Sequence, residues 1–145
     1  MSTTSQLETL YALISAVPGL EGTTGMKVGG QGADATVIST PLPAAWIVYA
    51  GKTPVEKPIN GVVLRGPVQV KNLFVVMLYL DYSVDQNVLA STQVPLLASV
   101  VSAVVGKEDS GSPGGFRFNF EGERLASINP KRLTYEMRFS IVSYL

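Results

Sequence analysis

Residues 69–82, QVKNLFVVMLYLDY, constrain the fold more than any other stretch. In an extended chain Phe74, Val76, Leu78, Leu80 and Tyr82 fall on one side. Leu73, Val75, Met77 and Tyr79 fall on the other, with Asp81 at the end. The 14 residues would span about 46 Å at about 3.3 Å each, against about 5–6 residues for an ordinary strand. Such a strand bends across its sheet or reaches beyond its own core. Two apolar faces also need two covers. The chain has 145 residues and few helical segments. Its own helices are expected to cover one face and another subunit the other.

The remaining elements follow from periodicity. Leu7, Leu10, Tyr11, Ile14 and Val17 recur at helical spacing, which predicts a helix over 5–17 ended by Pro18-Gly19. Ser5 and Glu8 have capping-box spacing, with Thr3 and Thr4 as further cap candidates. Residues 44–50, AAWIVYA, read as a strand that is apolar on both faces, with Pro41 and Pro43 just ahead. Residues 51–68 read as a long connection with room for a short strand at 62–64. A helix is expected over 93–105, after a turn over 85–90. Ser91 or Thr92 would be its N-cap, Pro95 would sit in its first turn and Gly106 would close it. The loop 106–115, GKEDSGSPGG, is polar and glycine-rich. Phe116, Phe118 and Phe120 then alternate with Arg117, Asn119 and Glu121. A turn region runs from Gly122 to Asn129-Pro130. The last strand, 132–144, has Leu133, Tyr135, Met137, Phe139 and Ile141 on one face. Arg132, Thr134, Glu136, Arg138 and Ser140 lie on the other.

These elements predict one α+β domain over residues 1–145. It would have a mostly antiparallel sheet of about four strands with two helices packed on one face, in the order α-β-β-α-β-β. The sheet's other face would be only partly polar.

Composition excludes much chemistry. The chain has no cysteine and no histidine, so it has no disulfide, thiolate site, cysteine nucleophile or Ser-His-Asp triad. Eleven basic residues balance eleven acidic ones, so no net positive charge drives nucleic-acid binding. Charged residues are 15% of the chain, below the roughly 25% of ordinary domains, and this favours association. The N-terminus lacks the pattern of a secretory signal, and no apolar run approaches the roughly 20 residues of a membrane span. The protein is therefore expected to be soluble, with no membrane partner.

Residues 19–32, GLEGTTGMKVGGQG, suggest a phosphate loop only superficially, because Lys27 is followed by Val28 rather than a hydroxyl. They read as a loop or irregular hairpin. The segments 19–33 and 106–115 are poor in apolar anchors and are expected to order against neighbouring molecules. The carboxylates Asp81 and Asp85, Glu108 and Asp109, and Glu121 and Glu123 lack calcium-loop spacing, and Asp85 reads as a helix cap. Lys131, Arg132, Arg138 and Arg117 make a candidate phosphate-contacting stripe. Cross-strand pairing with Glu121 and Glu136 is the favoured reading for them. The phenylalanines at 116, 118 and 120 read as core rather than as a base-stacking platform. No catalytic, cofactor-binding or metal residue is assigned.

Four stretches together resemble the tail terminator (tail completion) proteins of long-tailed bacteriophages, of the lambda type and of Mu-like phages. They are the N-terminal TTSQLETLYALISAV, the Pro-led PLPAAWIVYAG, the strand-into-helix LFVVMLYLDYSVDQNVLASTQVPLLASVVSAVV and the final RLTYEMRFSIVSYL. The resemblance implies a non-enzymatic virion protein that forms a hexameric ring on the tail tube. Such a ring stops tube growth and presents the surface that joins the head. The implied partners are further copies of the chain, the tail tube protein and the connector or neck proteins. Genomic DNA would pass through the lumen without specific binding. The implied location is the tail or neck of the virion, assembled in the host cytoplasm. Two alternatives stay open: another neck, minor tail or tube protein, and a small oligomeric α+β ligand-binding or enzymatic domain.

Overall fold

The computed structural model describes residues 3–27, 41–54, 69–108 and 116–144. Helix α1 (Thr3–Ser15) is followed by strands β1 (Thr24–Lys27), β2 (Ala44–Pro54) and β3 (Gln69–Asp81). A helical stretch comes next: α2 (Gln86–Val88), a π-helical turn (Leu89–Gln93) and α3 (Pro95–Val104). Strands β4 (Asn119–Ile128) and β5 (Arg132–Tyr144) complete the chain. The sheet has five strands in the order β1-β2-β3-β5-β4. The β1–β2 pair is parallel and the other three pairs are antiparallel.

The fold is α+β with its helices on one face, but the sheet is mixed and has a fifth strand. The expected four antiparallel strands and their order are corrected by β1, which lies inside the stretch read as a glycine-rich loop. Four residues, Thr-Gly-Met-Lys, carry no alternation that a sequence reading could use. Their position comes from neighbours. Val17 and Leu20 are buried, the Thr24 hydroxyl donates to the Leu20 carbonyl at 2.9 Å, and Gly25 pairs with Trp46.

A single core fills the space between the helices and one sheet face. Leu7, Leu10 and Ile14 of α1 and Leu96, Val100 and Val104 of α3 meet Ile47, Phe74, Val76, Leu78, Met137 and Phe139. Alternation puts these strand residues on the same side of the pleat. Asn72 lies inside this apolar layer and donates to Gln6 Oε1 at 2.8 Å and to Ser143 Oγ at 3.0 Å. Three elements, α1, β3 and β5, are thereby tied in one register, since a slipped neighbour would strand a buried amide.

The second helical stretch starts earlier than expected. The Asp85 carboxylate accepts from the Asn87 N–H at 2.7 Å and caps α2. Ser91 and Thr92, expected as caps, instead donate their hydroxyls to the Val88 carbonyl. Pro95 has no N–H and its ring crowds the carbonyl four residues back. A wider turn, with the Val94 N–H bonded to the Leu89 carbonyl at 2.9 Å, carries the helix up to it. At the other end Gly106, with φ of 79°, closes the helix as expected.

Gly122 is a second correction. It lies in a bulge of β4 rather than in a turn, at φ of 131°, where a side chain would be strained. The turn itself is confined to Asn129 and its successors, whose Lys131 and Arg132 N–H groups donate to Asn129 Oδ1. Strand β2 also extends beyond its expected end at residue 50, passing a bulge at Gly51 to reach Pro54. The strand at 62–64, the rest of the glycine-rich stretch from 28 and the loop over 109–115 lie outside the described residues.

Candidate interaction surfaces

The face of the sheet turned away from the helices is divided into two halves. Strand register aligns Gly25, Trp46, Met77, Glu136 and Arg124 in one row across it. The next row is Val48, Val75, Arg138 and Gly122, and Leu73 aligns with Ser140 in the one after. Trp46, Val48, Leu73, Val75 and Met77 are half-buried and none belongs to the core cluster. Over these rows the β2–β3 half of this face is therefore apolar, and the β5–β4 half is charged.

The charged half is an ion-pair network. Glu136 accepts from Arg124 across the strands at 2.8 Å and from Arg138 two residues along its own strand at 3.0 Å. Burial alone would raise the Glu136 carboxyl. The hydrogen bonds and charges of the two arginines outweigh burial and hold it below its ordinary value. Glu121 is also held low, first by the Ser140 hydroxyl, against burial, and with help from Lys71 at 3.3 Å. A lowered carboxylate pKa stabilises the fold above the unfolded-state value, about 4.3 for Glu, and loses that contribution as pH falls through the folded value. Chemical denaturation at stepped pH should show wild-type stability declining below about pH 4.5. Glu136→Gln should flatten that decline, and an equally steep decline in the variant would remove Glu136 as a contributor.

The residues singled out from the sequence do not converge. Asp81 Oδ1 accepts from the Ser83 N–H and hydroxyl, and Asp85 caps α2. Glu108 pairs with Arg117 at 3.0 Å, before β4 begins, so Arg117 does not join a stripe with Arg138. Arg132 lies over the Tyr79 ring at 5.0 Å. The expected partner Glu136 does pair with Arg138, though along the strand rather than across it. Among the described residues no group of three or more carboxylates is placed to hold a metal ion. Phe118 is fully buried and Phe116 packs against the core, as read from the sequence. Phe120 is 38% exposed and only leans on Phe139, with ring centroids 5.6 Å apart.

Gln93 carried no sequence signal and has a specific role. Its side-chain amide accepts from the Asp81 N–H at 2.6 Å and donates to the Asp81 carbonyl at 3.2 Å. It thus pins the π-helical turn to the end of β3. Only the fold shows this, because a glutamine in an amphipathic stretch reads as solvated.

The outer surface of the helix layer is unusual for water-facing helices. Across α1 and α3 the one charged residue is Glu8. Surface helices ordinarily carry charge on the outward side. Between them runs an open apolar groove of about 670 Å³, lined chiefly by Ala12, Leu13, Ala16, Ala98, Ser102 and Ala103. The continuous helical stretch Gln86–Val104 has 19 residues and a mean hydropathy of 1.5, which by length and composition suffices to cross a membrane. Leu89, Leu96, Val100 and Val104 are nevertheless buried in the core. Neither models of known protein families nor curated proteins match the chain.

Proposed function

We propose that the protein is a structural, ring-forming tail terminator of a long-tailed bacteriophage. It caps the tail tube, stops its polymerisation and presents the surface that receives the head connector, without catalysis. The observation that carries this reading is the sheet face bearing Trp46, Val48, Leu73, Val75 and Met77, which stands outside the chain's own core. An apolar sheet face on one side and an almost uncharged helix layer on the other are suited to burial between subunits rather than to lasting contact with water. The absence of cysteine and histidine from the whole chain agrees with a surface-matching role. Lumenal DNA would pass without specific contact, consistent with a net charge of zero.

Negative-stain imaging of the purified protein, alone and mixed with tail tubes, tests the reading. Closed rings of six subunits seated at one end of the tubes are the expected result. A subunit that stays monomeric on the tubes, or does not associate with virions at all, overturns it.

A further inference from the structure

We infer that the groove between α1 and α3 receives the exposed apolar row of β4 from a second copy of this chain. A nearly uncharged helix surface with an open apolar groove needs a cover that is apolar and narrow. Among the described residues the large exposed apolar side chains are Tyr11, Val88, Val94, Val105, Phe120, Leu125 and Ile128. The first four belong to the helices or their ends. The other three all stand on β4, opposite Phe139, Tyr135 and Leu133 on the helix side of the sheet.

The helices leave the far end of β4 uncovered: α1 packs over β1 and β2, the π-helical turn over β3, and Leu125 and Ile128 stay 44% and 57% exposed. A molecule cannot fold its own β4 into its own groove, because β3 and β5 separate β4 from the strands beneath α1. Two different patches on one subunit, each fitting the other, are what head-to-tail contact requires.

Charge supports the pairing. Glu8 lies one turn before the groove residue Ala12 on the same stripe of α1, just beyond one end of the groove. Glu8 is exposed and in no ion pair among the described residues. Lys131 lies three residues beyond Ile128 at the end of the β4–β5 hairpin, likewise exposed and in no ion pair. With Ile128 at the Ala12 end of the groove, Lys131 extends past that end toward the carboxylate of Glu8.

The contact rests on the self-assembly reading above, and its test separates the two. The natural chain has no cysteine, so introduced thiols report without background. Ala12→Cys and Ile128→Cys are both at exposed positions. With a short bismaleimide, a mixture of the two single variants should give cross-linked pairs, and neither variant alone should. The double variant should give a ladder ending at the ring size. Glu8→Lys and Lys131→Glu should each weaken association about fivefold, and the two together should restore it. Unchanged thermal melting of each variant keeps folding out of the readout. Absence of mixed cross-links at every concentration up to millimolar overturns the contact. If closed rings still form, the ring reading survives without it. Mixed cross-links together with a double-variant ladder that stops at dimers support the contact and sink the ring.

Discussion

Phe74→Ala is expected to cost the fold about 3–5 kcal/mol, the range for emptying a buried phenylalanine site. Phe74 is fully buried on β3, at the middle of the sheet. Its ring packs against Tyr49 from β2 at 5.5 Å between centroids and against Phe118 at 6.4 Å. Truncation removes a contact shared by three segments that are far apart in sequence, and such a site collapses poorly. Against a total stability of about 5–15 kcal/mol for a domain, the loss leaves a marginal protein. Urea unfolding followed by circular dichroism measures it. Phe120→Ala is the comparison: its ring is partly exposed and has one aromatic contact, with Phe139, so the change should cost only about 0.5–1.5 kcal/mol. A Phe74→Ala midpoint equal to that of Phe120→Ala would mean that the centre of the sheet does not depend on this ring.

Gly25→Ala should destabilise by about 1–3 kcal/mol, as overpacking does in a filled site. Gly25 pairs with Trp46, whose indole lies across it. A Cβ built at Gly25 meets three ring carbons at 2.8, 2.9 and 3.0 Å. Either the indole swings away or β1 leaves the sheet edge. The usual gain from removing a glycine, about 0.4–1 kcal/mol, acts in the opposite direction and is too small to win. Trp46 is the only tryptophan, so its emission reports the displacement directly. Trp46→Leu in the Gly25→Ala background should recover part of the loss by making room. A neutral Gly25→Ala with an unchanged emission spectrum would show that the indole does not occupy this position.

The elements legible in the sequence are those whose partners lie on a regular repeat. Residues 5–17, 69–82 and 132–144 write their contrast between core and solvent into helical or alternating positions. The helix came out at Thr3–Ser15 and the strands at Gln69–Asp81 and Arg132–Tyr144. Asp85 was legible as a cap because a short carboxylate ahead of a helical turn has few other uses. The chain-wide lack of cysteine and histidine likewise removed whole chemistries without any coordinates.

Tertiary contacts decided what has no local period. Strand β1 exists because α1 delivers the chain to the edge of β2 and Gly25 accommodates Trp46. Nothing within Thr24–Lys27 specifies a strand, still less a parallel one. Glycine serves turns and bulges alike, so only the pairing of β4 with β5 could make Gly122 a bulge. The candidate surfaces follow the same division. Alternation along 69–82 reveals two apolar faces, but both look equally in need of cover. Only the packing shows that α1 and α3 take the Phe74 side, leaving Val75 and Met77 beside Trp46 on the other. Likewise Glu136 reads as one charge on a polar face, and the register gives it Arg124 as well as Arg138. Burial is a property of neighbours brought together by the whole chain, and a residue's own sequence surroundings record only that it is able to be buried.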